Sequence, residues 1–329
     1  MKQRVAMIGA GLSGLTAARA LQAKFEVTLF EKSRAPSGRV ATRHAAPYAF
    51  DHGAQFFTVK NAAVQEWIQP LLSAGVIAPW HARFVELHGQ GCFSSRQWDD
   101  GYPHYVGVPG MRAIGVYLAN ALAVHYATCV TQVVRIDEQW ALYDSAGKAL
   151  GRYDWVLFSS PVAQTQALLP DCFAFKSTLD AFTMSACYSL MLGFEAGFDL
   201  GFDAALVSGA SISWVSANHS KPGRLTPPAY VIHATNDWAN RHLDAEDDWV
   251  KAALLAETKA VLGERVMAPV HLDVQRWRFA NIKKSQSDSY LLDVENHLGV
   301  CGDWLIQGRI EAAIRSGIAL SDHLIQQVS

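Results

Sequence analysis

The 329-residue chain is short of charge: 18% of its residues are Asp, Glu, Lys or Arg, against about 25% in an ordinary globular protein. The signs nearly cancel, 28 basic side chains against 30 acidic, for a formal charge of −2. No basic field exists to hold a nucleic-acid backbone or an anionic membrane. Long apolar runs are missing too. Uncharged stretches such as Ala181 to Phe194 fall short of the roughly 20 residues of a spanning helix. Cysteine is scarce: Cys92, Cys129, Cys172, Cys187 and Cys301 are odd in number, far apart and free of any CxxC pair. That excludes a disulfide framework and describes reduced thiols in a cytoplasmic protein, mostly buried as small hydrophobes. The twelve histidines show no metal-ligand spacing, and neither an HExxH nor a close Ser/His/Asp order stands out, so no metal centre is expected. His44 and His52, eight apart in a loop, read as solvated or bonded to backbone. Repeats and low-complexity tracts are absent.

What the chain has is apolar content, half of all residues, enough for a large core rather than disorder. Its length suggests two domains or one large α/β unit. Lys2 and Arg4 ahead of an apolar run superficially copy a secretory signal, but Gly9, Gly11 and Gly14 at fixed spacing serve a strand-turn-helix instead. Arg4 to Ile8 reads as a strand, Leu12 to Ala23 as a helix and Glu26 to Phe30 as a second strand, one βαβ unit. A linker spans Ser33 to Ala46, and Ala62 to Ser73 is helical. Alternating segments between Trp80 and Gly107 suggest strands of a second layer. Met111 to Val124 reads as an amphipathic helix. Ala127 to Ile136, Trp140 to Asp144 and Trp155 to Phe158 read as strands, with a hairpin turn at Ser145 to Lys148. Strands dominate Ala181 to Ala234. The helix Ala245 to Leu262, capped by Asp244, precedes strands at His271 to Phe279 and Gly299 to Cys301 and a closing helix over Gly308 to Gln327. The first and last elements both suit a cofactor. The expected division is therefore a discontinuous nucleotide-binding domain (1–75, 105–165 and 275–329) with a substrate domain (76–104 and 166–274) inserted between its parts.

Gly9-Ala10-Gly11-Leu12-Ser13-Gly14 lies between a strand and a helix, the context in which GxGxxG signals a dinucleotide. Gly9 permits the tight turn, Gly11 lets a pyrophosphate approach the backbone, Gly14 lets helix and strand pack closely, and free N–H groups near Ser13 face the phosphates. Glu31, followed by Lys32, ends the second strand where a carboxylate can accept ribose hydroxyls. Ser37-Gly38-Arg39 adds a glycine turn and a guanidinium able to clamp a pyrophosphate. Near the other end, Gly302 and Asp303 stand at a strand end, where Asp303 can take a ribityl hydroxyl. Arg309 and Ile310 open a helix whose positive end suits the growing charge of a reduced flavin. Together these features indicate FAD. His233, isolated in the apolar run Tyr230 to Ala234, Trp277, and Asn218 in a turn running to Lys221 are the candidates for a substrate site, although a core histidine, a packing tryptophan and a solvated turn are the plainer readings.

Gly9 to Gly14, Glu31, Gly38-Arg39-Val40-Ala41-Thr42, Asp51-His52-Gly53-Ala54-Gln55-Phe56-Phe57 and Cys301-Gly302-Asp303 resemble the motifs of the amine-oxidase-like flavoproteins. Ile232-His233-Ala234-Thr235 and Arg276-Trp277-Arg278 narrow the resemblance to the renalase-like family, over nearly the whole chain. Ser37 stands where that family has a first glycine, and Trp304 follows the Gly-Asp pair directly. The resemblance implies an α/β (α+β overall) chain with a Rossmann-type FAD-binding domain of p-hydroxybenzoate-hydroxylase-like topology and an inserted strand-rich substrate domain. It implies non-covalent FAD, with Ala54, Gln55, Phe56 and Val133 joining the cofactor-binding residues. It further implies oxidation of the 1,2- or 1,6-dihydronicotinamide isomers of NAD(P) to NAD(P)+, with dioxygen becoming hydrogen peroxide. Because the cofactor performs the hydride chemistry, the protein need only stack, orient and exclude water. An amine oxidase or desaturase on the same fold, and a non-catalytic flavin-binding redox sensor, remain the alternatives.

Overall fold

The computed structural model describes residues 2–89, 91–282 and 288–327. Arg4–Ile8 pairs in parallel with Glu26–Phe30 on one side and Trp155–Phe158 on the other. Leu298–Cys301 and Ala123–His125 extend this core, and Tyr290–Asp293 closes one edge antiparallel, giving a six-stranded sheet. Its central strands Arg4–Ile8, Trp155–Phe158 and Leu298–Cys301 are buried on both faces, as parallel strands usually are, and Val130, Trp140, Leu142 and Tyr153 help cover one of those faces. The helices Leu12–Leu21 and Ile310–Gln327 lie against each other beside it. Gly317 sets their separation, since a Cβ there would stand 2.5 Å from the Ser13 carbonyl oxygen.

The second layer is a seven-stranded sheet in the order His271–Ile282, Met184–Gly193, Ala229–Ala234, Ile212–Ala217, Ala204–Ser208, Arg83–His88, Gly91–Gln97. Side chains alternate between its faces. Tyr188, Leu190, Val215 and Ile232 pack behind it with Trp238, Val250 and Leu254 of the helices Asn236–Arg241 and Asp247–Leu262. Ser189, Met191, Trp214, Ser216, Val231, His233, Gln275 and Trp277 occupy the other face, toward the loop Asp51 to Phe57. The loop thus lies between the two sheets.

Several local expectations change. The helix after Pro109 covers only Ala113–Ala119, and the tail expected to continue it is the strand Ala123–His125, drawn into parallel pairing with Glu26–Phe30. The helix over 62–73 is two, Ala62–Trp67 and Gln69–Ser73, because Pro70 removes an amide donor. The meander of Val130–Ile136 and Gln139–Asp144 gains an unanticipated third strand, Ala149–Tyr153. Asp244 does not cap the long helix, which begins at Asp247; its carboxylate receives Arg278 at 2.6 Å instead. The strand from His271 runs to Ile282 within the seven-stranded sheet, past the boundary expected at 275. Cys92, Cys129 and Cys172 are exposed, and only Cys187 and Cys301 are buried.

Candidate active site

The glycine turn is built as its spacing suggests. Gly9 adopts φ +107°, a conformation that L side chains resist. A Cβ on Gly14 would meet the Gly9 carbonyl oxygen and the Ser159 hydroxyl at 2.4 Å, so helix and strand are as close as glycine allows. A Cβ on Gly11 would meet nothing within 4 Å. Gly11 heads the helix, and no side chain caps it. The first turn's amides therefore stand open to an anion. Ser13 is buried in that turn.

Glu31 is buried, and its carboxylate receives the amides of Ala10 at 2.9 Å and Ser33 at 2.8 Å. It anchors the glycine turn to the end of the second strand, a role beyond the ribose contact expected of it. Lys32 beside it is exposed. Val133 is half-buried against the cluster containing Ile8, Phe30 and Val130. Gly38, at φ +55°, lies over Gly11, where an added Cβ would be 3.3 Å from the Gly11 Cα. Ser37 takes the left-handed conformation too, at φ 105°, with its hydroxyl buried and unpartnered. It fits because Gly115 faces it without a side chain.

Arg39 joins the halves of the cradle. Its guanidinium holds both carboxylate oxygens of Asp303, one at 3.0 Å, and donates to the Ala280 carbonyl at 2.9 Å. Its own carbonyl receives the Ala54 amide at 2.9 Å. Gly302 donates its amide to Ser316 at 2.8 Å. Arg309 is exposed and Ile310 buried at the start of the last helix. Trp304 is fully buried, edge-on to Phe182.

The loop Asp51 to Phe57 carries the densest chemistry. Asp51 has no exposed surface, yet it receives Lys221 at 3.3 Å, Arg224, the Met111 amide at 2.9 Å and the Thr42 hydroxyl at 2.7 Å. Burial would raise this carboxyl, but the two cations and these hydrogen bonds together hold it below its ordinary range. Lys221 is pushed down to about 8 by burial, against the pull of Asp51. Asn218 is buried: it donates to the Ala49 carbonyl at 2.8 Å and accepts from Lys221 at 3.1 Å and the Asp51 amide at 3.2 Å. Rather than a solvated turn, the segment Asn218 to Arg224 is the cationic half of a buried network.

His52 is buried as well, contrary to its solvated reading. Its ring stacks on Trp277 at 5.3 Å and 14°. The Trp277 indole N–H donates to the His52 carbonyl at 2.8 Å. Burial, then Arg43, lowers the His52 ring to about 4. His44 is exposed. His233 is half-buried on the same sheet face, and burial, then Lys221 and His52, lowers it to about 3. Both rings are neutral at physiological pH. Phe56 contacts Trp98, His104 and Trp214, and Trp98 stacks between Phe84 and His104. The indole N–H groups of Trp98 and Trp214 have no partner.

The chain residues 7–71 match a model described as an NAD(P)-binding Rossmann-like domain, and residues 67–325 match flavin containing amine oxidoreductase. The chain belongs to the flavin containing amine oxidoreductase family. Among solved structures it resembles a putative protoporphyrinogen oxidase from Exiguobacterium sp. 255-15 at TM-score 0.81, 12% identity and 99% coverage of both chains. Putrescine oxidase bound to putrescine matches at 0.75, 12% and 99% of both. Cyclohexylamine oxidase from Brevibacterium oxydans IH-35A matches at 0.75, 13% and 100% of both. Identities this low speak for a shared fold.

Members of this family contain a flavin, and FAD suits the cradle found here: an open Gly11, an uncapped helix start, a buried carboxylate at Glu31 and the Arg39–Asp303 pair. Burial raises the Cys301 thiol to about 12, which disfavours its nucleophilic thiolate. Glu31→Ala is expected to weaken FAD by about 1.5 to 3 kcal/mol, the scale of the hydrogen bonds from ribose hydroxyls to a charged group that the truncation would remove. Titration of flavin-free protein with FAD measures it, and unchanged affinity in a folded variant would remove Glu31 from the site.

Sequence reasoning missed the partners of Asp51. The motif around it was visible, but Lys221 and Arg224 stand 170 and 173 residues away. It also missed Ser216, which donates to Gln55 at 2.6 Å, and Arg43, which binds Asp273 and Gln275. Among the described residues no group of three metal-ligating side chains occurs, and no helix is long and apolar enough to cross a membrane.

Proposed function

We propose that this chain is an oxidase of dihydronicotinamides, taking hydride from the 1,2 or 1,6 isomers of reduced NAD(P) and passing the electrons to dioxygen, which leaves as hydrogen peroxide. FAD, when bound, accepts the hydride and reduces the dioxygen. The protein's own part is to bind, orient and exclude water, with residues 1–75, 105–165 and the C-terminal segment holding the cofactor and the seven-stranded sheet facing the substrate.

The observation that supports this substrate class is charge. Asp51 on the loop and Asp273 on the sheet face are each bonded to Lys or Arg, as is Asp303 beyond the last strand of the six-stranded sheet. Asp51 is outnumbered by its two cations, so a net positive charge lies buried behind neutral His52 and His233. A protonated amine is disfavoured beside an uncompensated cation. A dihydronicotinamide has a neutral ring and anionic phosphates, and flat aromatic walls such as Trp277 and Trp214 suit it. Anaerobic mixing of the holoenzyme with separated NADH isomers and with a panel of amines tests the proposal. Bleaching of the flavin band by the isomers is the expected result. Bleaching by amines alone would establish an amine oxidase, and no bleaching by any small reductant would favour a redox sensor.

A further inference from the structure

Gln55 lies between two sets of groups whose hydrogen-bonding chemistry is fixed. One end of its amide receives Ser216 Oγ at 2.6 Å and Lys221 Nζ at 3.2 Å. An ammonium can only donate, so this end is the carbonyl oxygen Oε1. The other end meets the carbonyl oxygens of Asp51 and, at 2.9 Å, Gly53. A carbonyl can only accept, so this end is the amide nitrogen. The orientation of a buried amide is decided by such partners, and here both ends agree.

That nitrogen also stands 3.2 Å from His233 Nε2. The amide nitrogen carries two protons, so the Asp51 and Gly53 carbonyls share one of them and the other faces Nε2; a proton on Nε2 would set one N–H against another, whereas a lone pair there accepts. We infer that Lys221 and Ser216, acting through Gln55, lock His233 as its Nδ1–H tautomer, so that the ring offers its surroundings a hydrogen-bond donor and no basic nitrogen. His233 is half-buried, and no hydrogen bond joins its Nδ1 to a described residue. The titratable groups closest to the ring are Lys221 and His52, with Asp51 and Arg224 behind Lys221. None offers the ring a carboxylate, which is the group that would stabilise an imidazolium.

Gln55, Lys221 and Ser216 are positioning residues in this scheme, and His233 is the group they aim. A donor at Nδ1 recognises an uncharged acceptor oxygen, such as the carboxamide of a nicotinamide. This last step rests on the proposed function, but the tautomer does not, since it follows from protein contacts alone.

Nitrogen NMR of the holoenzyme with ¹⁵N-labelled histidine tests the inference, with His233→Gln identifying the resonance. The expected spectrum shows a proton bonded to Nδ1, a bare Nε2, and no titration between about pH 5.5 and 8.5, the span in which an ordinary histidine titrates. A proton on Nε2, or a titration midpoint near the ordinary value of about 6.5, would overturn it. Gln55→Glu supplies a second arm: a carboxylate accepts from Nε2, so the proton should move there and the ring's midpoint should rise by at least about one unit. A folded Gln55→Glu variant with an unchanged tautomer would also overturn it. If that variant does not fold, the wild-type spectrum decides alone. The bound proton is read without substrate, so a correct tautomer in an enzyme that ignores NADH isomers would reject the proposed substrate and leave this inference standing.

Discussion

Asp51→Ala is expected to destabilise the protein by about 3 to 5 kcal/mol, the range for removing one partner of a buried ion pair. The carboxylate is fully buried between Lys221 and Arg224, themselves almost without exposure. Its removal leaves two cations in a dry interior, together with an orphaned Met111 amide and Thr42 hydroxyl. Arg224 cannot neutralise itself, but Lys221 can. Its folded value of about 8 already lies below the ordinary 10.5 because burial lowers it, and Asp51 is the group that raises it. Without Asp51 it falls further. Between the variant's lower value and about 8, the wild type therefore holds a proton that the variant lacks, and linkage makes the stability gap shrink as pH rises through that window. Urea unfolding at pH 6 and pH 9 measures both effects. A loss below about 1 kcal/mol, or a gap that widens with pH, would contradict this account of the network.

Much of the cofactor side could be read in the sequence because it is local. The Gly9 to Gly14 turn, the strand on each side and Glu31 fall within one βαβ unit, and each needs only its neighbours to explain it. The substrate side could not be read in the same way. Lys221-Pro222-Gly223-Arg224 has the composition of a solvated turn, and only the distant Asp51 turns it inward. Pairing also overrode local preference at Ala123–His125, where a helical pattern yields to an open strand edge. Asp244 looked like a cap because it precedes a helical run, but Arg278 on the facing strand claims it. His233 and Trp277 were legible as candidates through resemblance, whereas Ser216 and the hydrogen bonds of Gln55 carry no sequence signal.

His233→Ala should slow reduction of the bound flavin by roughly a hundredfold, the loss that follows when a reacting ring is displaced by about 1 Å, with FAD retained and reoxidation by dioxygen little changed. Trp277→Ala should act on the same step, since it removes both the ring stacked on His52 and the indole donor to the His52 carbonyl. Hydride transfer from a dihydronicotinamide leaves no N–H or O–H proton to be removed, so no general base is required. The histidines agree with that. Burial lowers His52 to about 4 and His233 to about 3, and both stay neutral from about pH 6 to 9, where an unperturbed imidazole would pass through its titration. Lys221, lowered by burial to about 8, falls within that interval. Reduction should accordingly vary little between about pH 6 and 7, with any change setting in as Lys221 loses its proton near the top of the range. Anaerobic stopped-flow measurements on wild type and both variants separate the outcomes. Normal reduction rates in both variants would remove these residues from the site. A steep acid limb near the ordinary histidine value, abolished by His233→Ala, would show that His233 takes a proton after all and would point to a substrate that has one to give.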